Sequence, residues 1–97
     1  MSDQQPDMSA FLEQAQALQE QLTKAREEAA EQVLVGQAAN GQVKIEVTGG
    51  LEFRSIRIDP SLGGDVELLE DLLLAALRDA VGKVDELNQS AVGNLFG

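Results

Sequence analysis

The chain has no cysteine, histidine, tryptophan or tyrosine among its 97 residues, and only three phenylalanines. The missing cysteine excludes disulfide staples and thiol redox chemistry. With histidine also missing, zinc sites built on Cys or His and Ser-His or Cys-His nucleophiles are excluded too. Acid-base chemistry near neutral pH is left to Asp and Glu. Their clusters, such as Glu27, Glu28 and Glu31 or Glu70 and Asp71, fall on expected helices and read as solvated faces. No Asp-x-Asp-x-Asp-Gly calcium loop is present. Gly49-Gly50 and Gly63-Gly64 lack the following Gly-Lys-Ser/Thr and the βαβ setting of a phosphate loop. No enzymatic activity, metal or cofactor is therefore expected. Positive charge is scarce, with seven Lys and Arg against 17 Asp and Glu, a net charge of −10. The longest apolar run, Leu72 to Leu77, falls far short of the roughly 20 residues of a membrane span, so no membrane partner is expected. The polar, acidic opening lacks the pattern of a secretory signal, which makes a cytoplasmic location the expectation.

What is present is enough for one small domain. Hydrophobic residues make up 43% of the chain, too many for disorder by composition. From Met8 the apolar positions Met8, Phe11, Ala15, Leu18, Leu22, Ala25 and Ala29 recur in alternating steps of three and four. That is the a/d seam of a heptad repeat, slightly widened by Leu12. A helix over about 8–31 would be roughly 36 Å long, more than a small globule covers along one flank. Part of it is expected to project or to meet another chain. The period then changes to that of strands. Gln32 to Val35 is β-branched, Asn40-Gly41 is a hairpin pair, and Val43, Ile45 and Val47 alternate with Lys44, Glu46 and Thr48. Lys44 therefore points away from the apolar face. After Gly49-Gly50, the next strand breaks parity, since Leu51 and Phe53 alternate out of step with Ile56 and Ile58. A bulge is expected near Arg54-Ser55. Asp59-Pro60-Ser61 ends a three-stranded antiparallel meander.

A second helix is expected from about Val66 to about Gln89. Its apolar residues exceed one stripe, because Leu68 and Leu72 lie on a different flank from Leu73 and Leu77, with Leu74 on another. One small sheet cannot cover that circumference, so a second subunit is expected over Leu68, Leu72, Leu73, Leu74, Leu77, Val81 and Val84. Gly82 would permit a close helix crossing there. The fold class is α+β: helix, meander, helix. The expected organisation is a flexible leader at 1–7, a single domain at 8–90 and a short tail at 91–97.

Four strings stand in order along the chain: Gln14-Ala15-Gln16-Ala17-Leu18-Gln19-Glu20-Gln21-Leu22, Gly41-Gln42-Val43-Lys44-Ile45-Glu46-Val47, Ile56-Arg57-Ile58-Asp59-Pro60-Ser61-Leu62, and Leu69-Glu70-Asp71-Leu72 with Ala75-Ala76-Leu77-Arg78-Asp79-Ala80. Together they closely resemble the YbaB/EbfC family of bacterial nucleoid-associated proteins. The resemblance implies an intertwined homodimer whose N-terminal helices project like tweezer arms. It further implies binding of double-stranded DNA, a nucleoid location, effects on chromosome organisation and gene expression, and recombination or replication proteins as further partners. The expected DNA contacts are Lys24, Arg26, Lys44, Arg54 and Arg57, touching phosphates rather than reading bases. A second reading, favoured by the −10 charge and by Glu13 where many relatives carry Lys, is an acidic dimeric adaptor that docks proteins without touching DNA.

Overall fold

The computed structural model describes residues 8–93. Two helices flank a three-stranded sheet in the order α1 (Met8–Glu31), β1 (Val33–Ala38), β2 (Val43–Thr48), β3 (Phe53–Ile58) and α2 (Val66–Gly93). The strands form an antiparallel meander with β2 in the middle. The leader at 1–7 and residues 94–97 lie outside the described residues. α2 runs past the expected domain edge at residue 90.

α1 spans the length its heptad seam predicts, and only Ala29 is buried. The chain extends 82 × 18 × 16 Å with a radius of gyration of 21.3 Å. A compact chain of about 100 residues has roughly 13 Å. The excess comes from the arm: beyond its last turns, α1 has no neighbour to lie on.

The β1–β2 connection passes through three successive left-handed residues, Ala39, Asn40 and Gly41, with φ of 54°, 55° and 89°. Asn and Gly tolerate this region, which explains the pair read from the sequence. The bulge also forms as expected. Glu46 faces Ser55 and Val47 faces Phe53, leaving Arg54 as the extra residue. The extra residue restores parity, so Phe53, Ile56 and Ile58 all share the face of Val47, Ile45 and Val43.

That face carries the core. Val43, Ile45 and Val47 are fully buried beneath Ala76, Ala80 and Val84 of α2. α2 lies over β1 and β2 because small residues let it come close. A Cβ on Gly36 would stand 2.5 Å from both the Ala76 carbonyl oxygen and the Ala80 Cβ. One helix cannot also cover β3, whose Phe53, Ile56 and Ile58 stay 48%, 57% and 38% exposed. Leu62, in the 3-10 turn Pro60–Leu62, closes one end of the core. Asp59 caps that turn by accepting from the Ser61 N–H at 2.9 Å.

The outer edge of β1 is sealed by α2. Asp79 Oδ2 accepts from the Gln37 N–H at 2.9 Å, and Lys83 Nζ donates to the Val35 carbonyl at 2.7 Å. The two side chains also pair with each other at 3.2 Å. Asp79 and Lys83 have the favourable i,i+4 spacing and close, whereas Glu20–Lys24, at the same spacing, is not among the ion pairs of the described residues. The Gln37 N–H first, and Lys83 second, hold the Asp79 carboxyl below its ordinary value. Asp59 is lowered in the same direction by the Ser61 N–H and hydroxyl.

Two outcomes follow from this packing. Gly36→Ala should destabilise the chain by about 3 kcal/mol in denaturant titration, because the helix must lift from the strand. Unfolded Asp79 and Asp59 bind protons more readily than the folded groups do. Their contribution is therefore complete above roughly pH 5 and is lost as pH falls through about 3.9 toward the folded values. Thermal melts across that range should show the decline, and Asp79→Asn should make it shallower.

Candidate nucleic-acid interface

The outward face of the sheet is polar because β2 alternates. Lys44 and Glu46 point away from the buried Val43, Ile45 and Val47. Antiparallel register places Arg57 of β3 directly opposite Lys44, and Ser55 opposite Glu46. With Val35 of β1, these four side chains line a shallow depression of about 360 Å³. Like charges set directly across a ladder repel, and each such pair ordinarily costs a few tenths of a kcal/mol or more. Neither cation takes part in the two ion pairs found among the described residues. Beside them the Ser55 hydroxyl is shielded from solvent and has no hydrogen-bond partner among the described residues. Two cations converge here beside the shielded hydroxyl, and Glu46, the one carboxylate lining the same depression, is not in an ion pair with either of them.

The other expected contacts lie elsewhere. Lys24 and Arg26 are exposed on α1, and Lys24 shares its surface with Glu20 and Glu27. Arg54 sits on the bulge with its Nε 3.8 Å from Glu52 Oε1, both side chains well exposed. The structure thus brings Lys44 and Arg57 together and leaves the other three apart from them. Ser55 was not singled out from the sequence, where only its place in the suspected bulge marked it.

The apolar surface expected to meet a second chain is divided. Leu68, Leu74, Leu77 and Val81 are exposed. Leu72 and Leu73 pack partly against the chain's own core, and Val84 is 3% exposed inside it, its surface already used. The open α2 residues are joined by a group that the sequence reading did not assign, namely Leu51, Phe53, Ile56 and Ile58. Their parity was legible, but only the seating of α2 decides that they stay uncovered. Gly82 has nothing of its own chain within 4 Å of where a Cβ would stand. No helix among the described residues is long and apolar enough to cross a membrane, and no cluster of metal-binding side chains occurs among them.

Two helices flanking a three-stranded antiparallel sheet define a small domain of the α+β class. The chain matches the YbaB/EbfC DNA-binding family over residues 4–97 and belongs to it. It is 44% identical over 95 residues to a nucleoid-associated protein of Rhodococcus jostii (strain RHA1), covering 96% of this chain and 84% of that protein. It is 40% identical over 88 residues to one from Xanthomonas campestris pv. campestris (strain B100), covering 91% and 83%. The crystal structure of an uncharacterized protein from Helicobacter pylori superposes with a TM-score of 0.79 at 22% identity, covering 96% of this chain and all of that one. That likeness concerns the fold. The family is one of nucleoid-associated DNA-binding proteins and not a known class of enzyme.

Reversing one member of the cation pair tests its electrostatics without any ligand. Arg57→Glu replaces a repulsive cross-strand pair with an attractive one, and denaturant titration at low salt should find the variant more stable by about 0.5 kcal/mol.

Proposed function

We propose that the chain acts as a homodimer that binds double-stranded DNA by its phosphate backbone, at the nucleoid, with effects on chromosome organisation and gene expression. The observation that carries this reading is the facing pair Lys44 and Arg57, neither of them in an ion pair among the described residues. A phosphate oxygen that accepts from both cations relieves the repulsion between them. Lys24, Arg26 and Arg54 add weaker contacts from the arm and the bulge. Contacts of this kind position a duplex and do not read its sequence. Two chains together carry twice −10, so long-range attraction is absent and binding relies on patches acting within a Debye length of roughly 8 Å.

Dimerisation is supported by the open apolar surface. Leu74, Leu77 and Val81 share one exposed flank of α2, where Val81 and Gly82 line a depression with Leu51, and Leu68 is exposed on another flank. Leu72 and Leu73 add their remaining exposed area. A second copy seated there would remove from water most of the apolar surface that α2 leaves bare.

The names of the relatives support a nucleoid role, and the family's DNA-binding description supports DNA as the partner. Gel-shift titration at several salt concentrations tests the reading. Binding should weaken steeply with salt. Arg57→Glu, present twice per dimer, should lower the log–log salt slope by about 2, at about 0.9 per lost phosphate contact. Absence of any shift at about 50 mM salt would instead favour the acidic protein-docking adaptor. Sedimentation at micromolar concentration should find two chains, and Val81→Asp should dissociate them.

A further inference from the structure

The arm carries an apolar seam that, beyond its base, no other element among the described residues covers. Ala25 and Ala29, at the base of α1, lie against Leu87, Ser90 and Ala91 of α2. Beyond that overlap, Met8, Phe11, Leu12 and Leu18 remain 60%, 64%, 55% and 39% exposed, with Ala15 also open between them. The bare stretch from Met8 to Leu22 is roughly 21 Å long.

The residues beside this seam say what fits on it. With Met8 at heptad position a, the flanking e and g positions out to Gln21 are Leu12, Gln14, Gln19 and Gln21, none of them charged. The carboxylates of the same stretch, Glu13 and Glu20, both occupy position f, directly opposite the seam. In a chain of net charge −10, this distribution leaves the seam free of the like-charge repulsion that would keep two copies apart. A duplex is a poor occupant, because neutral apolar side chains offer nothing to phosphate. A copy of the same helix is the good one: apolar knobs meet identical apolar holes, and glutamine flanks glutamine.

We infer that the arm of one dimer pairs through this seam with the arm of another, joining dimers into tetramers and longer chains. The inference rests on the dimeric reading above. Two heptads make a weak contact alone, since short isolated helices are marginal in water. Each dimer offers two arms, however, and neighbours held on one duplex raise the effective concentration of the second contact. The arms then act as links between DNA-bound dimers.

Sedimentation of the full chain from roughly 1 to 300 µM tests this, by resolving a dimer-to-tetramer constant. The wild type should pass from dimer to tetramer as concentration rises. Phe11→Gln with Leu18→Gln should weaken that step by about tenfold or more while leaving the dimer and its helicity intact, because both side chains are exposed. Gln19→Glu with Gln21→Glu should weaken it at low salt and restore it at high salt, as repelling flanks would. Glu13→Gln, at position f, should leave it unchanged. A wild type that stays dimeric throughout overturns the inference and spares the dimer, whether the arms then pair within one dimer or meet a different protein. Assembly that the seam variants leave unaltered also overturns it. A wild type that never exceeds one chain overturns both the inference and the dimeric reading.

Discussion

The close seating of α2 on β1, made possible by Gly36 against Ala76 and Ala80, is the contact on which the architecture depends. It fixes the helix over two strands of three. The core of Val43, Ile45 and Val47 is completed by that choice, and β3 is left with an apolar face that no part of its own chain covers. The same seating carries Asp79 and Lys83 to the edge of β1. An isolated subunit is therefore finished on one side and unfinished on the other.

Much of this was legible in the residues. The heptad steps of α1 gave both its limits and its projection, and the parity break around Arg54 gave the bulge, because both follow from local periodicity. The second helix was recognisable as too apolar for one stripe, yet which of its residues stay open was not. Val84 and Leu77 look alike in sequence, and only the placement of α2 buries the first and exposes the second. In the sequence Gly36 stands just after a short strand-like segment, Gln32 to Val35. In the fold it lies inside a longer one, where its missing side chain admits the helix.

The cation pair had the same limit. Lys44 was legible as an outward residue from the alternation of β2. Its partner was not, because register across a bulged ladder decides that Arg57, and not Arg54, stands opposite. A shift of one residue would have sent Arg57 to the apolar face. The unpartnered hydroxyl of Ser55 is likewise a product of tertiary shielding. Net charge, by contrast, was fully visible and is the poorer guide. With seven cations on the chain, what matters is that two of them stand face to face and join neither ion pair of the described residues.

The seal on β1 has a consequence for how far association through the sheet can go. A sheet normally has two free margins and can recruit neighbours from both without end, the route to fibres. Here one margin is already occupied by a carboxylate and an ammonium. A strand adding to that margin would first have to displace both side chains. Ladder growth from the β1 side is thus opposed, whatever packs on the apolar face of β3.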